Sequence, residues 1–177
     1  MNPPDHGTLA RAARLRVPLG FASGVVAVWF AQPNARTLAV GAAIACVGQA
    51  LRIWASGHIN KSREVTASGP YRWFAHPLYV GSSVMGIGLA AASNSIAVAV
   101  LIAVYLGVTI PAAIKAEEAF LRRRFGDEYD RYRRGGSMTG GADAERRFDV
   151  RQVVANREYR AVIGVALVLT ALLLKLL

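Results

Sequence analysis

The chain has 177 residues, 54% of them apolar and only 18% charged, with a net charge of +10. One domain fits that length, but the balance is unlike that of a water-soluble helical domain, whose helices need polar outer faces. The positive charge does not read as a nucleic-acid surface, because it is segregated between apolar runs, and the single cysteine, Cys46, excludes an intrachain disulfide framework or a cysteine-based metal site.

Five apolar clusters, near 17–31, 37–55, 77–92, 95–114 and 160–177, carry almost no charge. A spanning helix needs about 20 mainly apolar residues. Several runs are shorter, but flanking Ser, Gly, Trp and Arg extend them, and Arg52 can snorkel toward the headgroups. The expected fold is all-α: a polytopic integral-membrane protein with five transmembrane helices and a cytosolic interfacial helix. Loop charge alternates accordingly. Arg11, Arg14 and Arg16 precede the first span, Lys61, Arg63 and Arg72 lie between the second and third, and region 115–160 holds twelve Lys or Arg against nine Asp or Glu. The intervening connections hold only Arg36 or no basic residue, and the C-terminal end holds Lys175. By the positive-inside rule the N-terminus is cytoplasmic and the C-terminus lies on the other side, in a cell inner membrane. Anionic lipid is the expected partner of the basic loops, and nucleic acid is not.

In chain order, residues 1–16 form a basic tail in which His6 stands alone. The first apolar segment lacks a convincing small-residue cleavage site and is expected to be retained. Trp29 suits the far interface, and Gln32-Pro33-Asn34 supplies a turn. The second run is rich in Ala and Gly, which favours close helix packing. Near its end Gln49 is expected to face the interior and Arg52 to act as an interfacial anchor. Cys46 reads as a small packing residue, and His58 and Lys61 as loop-surface residues.

The organising stretch is Gly69-Pro70-Tyr71-Arg72-Trp73-Phe74-Ala75-His76-Pro77-Leu78-Tyr79-Val80-Gly81. Proline and glycine at both ends make it a shaped loop followed by a helix start. Ser93-Asn94-Ser95 then turns the chain, so 77–114 reads as a helical hairpin, with a bend expected at Pro111. Glu117 and Glu118 follow this apolar span directly, where carboxylates are costly unless they meet water, donors or a cationic ligand. Leu121, Phe125, Tyr129 and Tyr132 share one side of the helix that continues from them. Residues 17–134 form the core and 135–159 a flexible basic linker without a phosphate-binding glycine pattern, within which the basic segment 145–160 can form a short surface helix. Residues 160–177 form a last transmembrane helix.

A hairpin returns both of its ends to one membrane side, which predicts a pocket bordered by His76, Tyr79 and Glu117 or Glu118. Histidine with glutamate supports acid–base chemistry, but there is no paired serine or cysteine nucleophile, and no metal site is expected. Read from these residues alone, the pocket binds a polar ligand, with carboxylate attraction to an ammonium or sulfonium charge.

Gly69-Pro70-Tyr71, His76-Pro77-Leu78-Tyr79-Val80-Gly81, and then Glu117-Glu118, Phe125-Gly126, Tyr129 and Tyr132 strongly resemble the integral-membrane isoprenylcysteine carboxyl methyltransferase and phospholipid methyltransferase superfamily, mainly over 50–134. The resemblance implies an S-adenosylmethionine pocket at the cytosolic interface and a hydrophobic or lipid-modified methyl acceptor. It implies cofactor contacts from His76, Tyr79 and Gly81, completed by Glu117 or Glu118, with Tyr71 and Tyr132 nearby, and catalytic roles for His76, Glu118 and Arg131. Family members often carry Arg immediately before the His-Pro pair, where this chain has Ala75, so Arg72 or Arg131 would have to compensate. Arg133-Arg134-Gly135-Gly136 replaces the family's proline-containing ending. The acceptor stays open among a prenylated cysteine carboxylate, a phospholipid amine and a smaller hydrophobic thiol or acid. Two other readings stand beside this one: a membrane reductase using NADPH, and a non-catalytic scaffold or lipid-binding protein.

Overall fold

The computed structural model describes residue 20 and residues 22–59, 68–126 and 147–177. Within them the regular structure is entirely helical: α1 (22–30), α2 (Ala35–His58), a 3-10 turn (Gly69–Arg72), α3 (Pro77–Ser93), α4 (Ile96–Phe125), α5 (Val150–Ala155) and α6 (Tyr159–Leu176).

Each start has a local cause. Asn34 caps α2: its Oδ1 accepts from Thr37 N at 2.9 Å, while Thr37 Oγ1 accepts from Asn34 N at 3.1 Å, a reciprocal capping box. Pro77 occupies the first turn of α3, where its missing N–H costs nothing. Asn94, left-handed at φ 49°, ends α3, and Ser95 caps α4. The hairpin expected from Ser93-Asn94-Ser95 is therefore present.

The centre of the fold is the antiparallel contact of α2 with α3, made possible by small residues. A Cβ on Gly41 would lie 2.2 Å from Ala92 N, one on Gly48 2.4 Å from Met85 N, and one on Gly88 2.3 Å from Ala45 N. These backbones touch, and only hydrogen fits between them. Cys46, expected as a packing residue, is instead exposed, because Ala45 and Gly48 take the buried positions against α3.

Among the described residues, α2, α4 and α6 are long and apolar enough to cross a membrane, and α3 is a shorter apolar helix. Ile96, Val100, Val104 and Val108 form an exposed stripe on α4 at four-residue steps. A soluble protein would cover such a stripe, whereas lipid solvates it. The interfacial helix expected after the fourth span is continuous with it as far as Phe125, and Pro111 lies inside one 30-residue helix. At 1.5 Å per residue α4 is about 45 Å long, against roughly 30 Å of hydrocarbon. Its charged last turns therefore extend past the apolar layer.

Two ends are distinct. At one, Gln32 N donates to Ser93 O at 2.7 Å, Asn94 Nδ2 to Gln32 O at 3.0 Å, and Lys175 Nζ to Val28 O and Trp29 O at 3.1 and 2.6 Å. The other gathers the end of α2, the 3-10 turn, the start of α3 and the start of α6. Residues 147–158, expected within a flexible linker, are fastened here. Asn156 Nδ2 donates to Ser56 O and Ile59 O at 2.8 and 3.0 Å, and Gln152 Nε2 donates to Ile59 O at 2.9 Å. Both side chains serve carbonyls that the last turn of α2 leaves without intrahelical partners. His58, expected on a loop surface, is buried: Nδ1 lies 3.2 Å from Ser68 Oγ, and Gly69, at φ +57°, passes so close that a Cβ would sit 2.6 Å from the imidazole.

Candidate functional site

His76 is the residue before α3, with non-helical backbone at φ −137° and ψ 63°. Its carbonyl accepts from Tyr79 N and Val80 N at 3.1 and 3.2 Å, so the imidazole is carried on the first turn without belonging to the helix. α4 returns from the hairpin and brings Glu117 and Glu118 to either side of that ring. His76 Nε2 lies 3.5 Å from Glu118 Oε1, and Nδ1 lies 3.8 Å from Glu117 Oε2. The first distance is at the outer limit of a hydrogen bond and the second is beyond it. Glu118 is the more enclosed, with 15% of its side chain exposed against 36% for Glu117. Tyr79 tilts against the imidazole with ring centroids 5.8 Å apart.

Carboxylates only accept hydrogen bonds, and a neutral imidazole donates through one nitrogen alone. The cluster thus presents more acceptors than donors, which suits a cationic or hydrogen-bond-donating ligand.

The structure brings together His76, Tyr79, Glu117 and Glu118. Tyr71 lies deeper, buried in the 3-10 turn and packed with Ala55, Ile59 and Leu78. Gly81 faces α2: a Cβ there would meet Arg52 Cγ at 2.6 Å and Gly48 O at 2.8 Å. Its small size lets the two helices meet. Arg131 and Tyr132, like Asp127, Glu128, Tyr129 and Lys61, lie outside the described residues.

A second polar cluster lies behind the first turn of α3. Glu158, only 6% exposed, receives Arg52 Nε at 2.7 Å and Nη2 at 3.1 Å, and Gln49 Nε2 at 3.2 Å. Sequence reasoning placed Gln49 inward but did not find Glu158. The available signal was an acidic residue three positions before an apolar run, together with Gln49 and Arg52 three positions apart within the apolar part of α2.

Fold and site together define a helical membrane protein with a histidine and two carboxylates gathered at the open end of a hairpin. The family model for phospholipid methyltransferase matches residues 36–128, more than half of the chain and including His76, Glu117 and Glu118. The chain belongs to the phospholipid methyltransferase family. Over 97 residues it is 38% identical to the nickel-cobalt-cadmium resistance protein NccN of Alcaligenes xylosoxydans xylosoxydans, covering 54% of this chain and 44% of that one. It is 35% identical over 97 residues to the cobalt-zinc-cadmium resistance protein CzcN of Cupriavidus metallidurans, covering 54% and 43%. The matched region thus spans less than half the length of these relatives. No solved structure matches the chain.

Proposed function

We propose that this protein is a membrane methyltransferase that takes its methyl group from S-adenosylmethionine and delivers it to a hydrophobic or membrane-associated acceptor. The observation that carries the reading is His76 between Glu117 and Glu118, inside the region matched by the methyltransferase family. The residue types fit the donor: carboxylates attract its ammonium and sulfonium charges, and the His76 and Tyr79 rings offer faces and edges to a heterocycle. When bound, S-adenosylmethionine supplies an activated methyl group on a positively charged sulfur.

The chain's own contribution is positioning and charge. Glu118, the more enclosed carboxylate, holds positive charge next to the imidazole, and Glu117 does so nearer to solvent. Holding two reactants in line lowers the barrier without a covalent enzyme intermediate. A carboxylate acceptor needs no base, whereas an amine must lose a proton first, and His76 Nε2 beside Glu118 can accept and hold that proton. By the family resemblance, Arg131 keeps a catalytic role and Tyr132 a cofactor contact in this reading.

In this reading the described helices belong to a five-span arrangement with an interfacial extension of α4. The end carrying His76 is cytoplasmic and the end carrying Lys175 is on the far side of an inner membrane. The long apolar helices and the loop charges support it. The relatives' names speak of metal resistance and identify no reaction.

The test is titration of detergent-purified protein with S-adenosylmethionine, comparing wild type with His76→Ala and Glu118→Ala. Saturable binding by wild type, weakened by either substitution, is expected. Folded wild-type protein in lipid that binds NADPH and not S-adenosylmethionine would favour a reductase, and one that binds neither a scaffold.

A further inference from the structure

Glu158 lies outside the residues shared with the family, yet it is among the most buried charged groups described in the chain. It stands at the start of α6 but makes no side-chain cap on its own helix. Both carboxylate oxygens turn instead to Arg52 on α2, which binds them through Nε and Nη2 in a fork geometry. Arg52 has one nitrogen left, and that nitrogen reaches α3: Nη1 donates to Leu78 O at 3.4 Å and to Ser82 Oγ. Ser82 Oγ also donates to Leu78 O, at 2.9 Å. Gly81 makes the reach possible, since its missing Cβ leaves room for the Arg52 stem against α3.

Leu78 and Ser82 belong to the turns that begin α3, and His76 is tied to the first of these by its carbonyl bonds to Tyr79 and Val80. A continuous path therefore runs from Glu158 through Arg52 to the turn carrying the imidazole. We infer that Glu158 is a positioning residue: by fixing the Arg52 guanidinium it sets the first turn of α3, and with it the distance of His76 from Glu117 and Glu118. A buried ion pair is not in itself a reason for stability, since apolar groups of similar volume often serve as well. What an apolar pair cannot do is donate to Leu78 O and Ser82 Oγ. The functional meaning of this role rests on the proposed methyl-donor site, but the positioning itself does not.

The experiment uses the full chain in detergent with histidine labelled at Cε1. Only His6, His58 and His76 contribute resonances, and His76→Asn assigns the relevant one. Four proteins are compared: wild type, Glu158→Gln, the apolar pair Arg52→Met with Glu158→Leu, and Ser82→Ala. The last removes the Ser82 part of the link to α3, leaving the Arg52 contact to Leu78 O and the Arg52–Glu158 pair in place, and it removes no buried charge. The positioning role predicts a displaced His76 resonance in every variant that folds, with His6 unmoved. It also predicts methyl transfer from S-adenosylmethionine slowed by up to about a hundredfold in the apolar pair, as a small misplacement of a positioning group produces, even where that pair melts within a few degrees of wild type. A His76 resonance unchanged in Ser82→Ala and in the folded apolar pair overturns the inference and leaves Glu158 as a staple for α6. If wild type binds no S-adenosylmethionine while the His76 resonance still follows Glu158 and Ser82, positioning stands and the methyl-transfer reading fails.

Discussion

Replacing Gly48 by alanine adds one methyl group at the tightest kind of place in this fold. The new Cβ would lie 2.4 Å from Met85 N, 2.7 Å from Gly81 O and 2.9 Å from Met85 Cα. Ordinary carbon contacts lie near 3.5–4 Å, so α2 and α3 must part by roughly 1 Å, and backbone cannot rotate aside as a side chain can. Overpacking of this kind costs about 1–3 kcal/mol. Alanine regains about 1 kcal/mol of helix propensity over glycine, which leaves a net loss of about 0–2 kcal/mol. Gly107 on α4 is the matched control, because a Cβ there meets nothing within 4 Å. Gly107→Ala keeps the propensity gain alone and is expected to stabilise by roughly 0.5–1 kcal/mol. Both variants are unfolded by heat or denaturing detergent in the same bicelles, followed by helix signal and by accessibility of a label at Cys46. Opposite signs are predicted. Equal responses, or a Gly48→Ala protein as stable as Gly107→Ala, would refute the close α2–α3 approach.

The two carboxylates beside His76 should not be equivalent. Glu118→Gln is expected to weaken S-adenosylmethionine binding about tenfold, the effect of roughly 1.4 kcal/mol, and Glu117→Gln less, because Glu118 is nearer the imidazole and less exposed; isothermal titration of both variants checks the order. Asn156→Ala removes both donations to the end of α2, which is expected to cost about 1–2 kcal/mol and to expose the 147–158 segment to protease. Lys175→Met releases the carbonyls of Val28 and Trp29 at the opposite end, so it should lower the melting temperature while leaving ligand affinity at the wild-type value.

The meeting of His76 with Glu117 and Glu118 was legible in the sequence because a hairpin constrains it. Two helices of similar apolar length, joined at Ser93-Asn94-Ser95, must return the residues beyond both apolar ends to one side. The proline at the start of α3 was an equally local signal. The direction taken by Gly81 was not legible, because a glycine carries no side chain whose polarity reports which face is buried. That direction depends on the rotation of α3 against α2, fixed by Gly48, Ala45 and Gly88 acting together. Nor was the fastening of 147–158. Asp149, Gln152 and Asn156 fall in the stretch that reads as linker with a short surface helix, but they satisfy backbone groups of α2 about a hundred positions earlier, a pairing that only the three-dimensional path discloses. The same reason hid Glu158, whose partner Arg52 reads by itself as an interfacial anchor.

Methyl transfer is the chemistry proposed for the cluster around His76. Its most direct test incubates the purified full chain with S-adenosylmethionine carrying a labelled methyl group and a membrane lipid extract, then separates and identifies every labelled product, with His76→Ala run in parallel. One labelled hydrophobic product is expected, formed with stoichiometric S-adenosylhomocysteine and lost in His76→Ala. Folded protein that binds S-adenosylmethionine yet leaves every acceptor unlabelled, across extracts and prenylated cysteine substrates, or label transfer undiminished by His76→Ala, would contradict it.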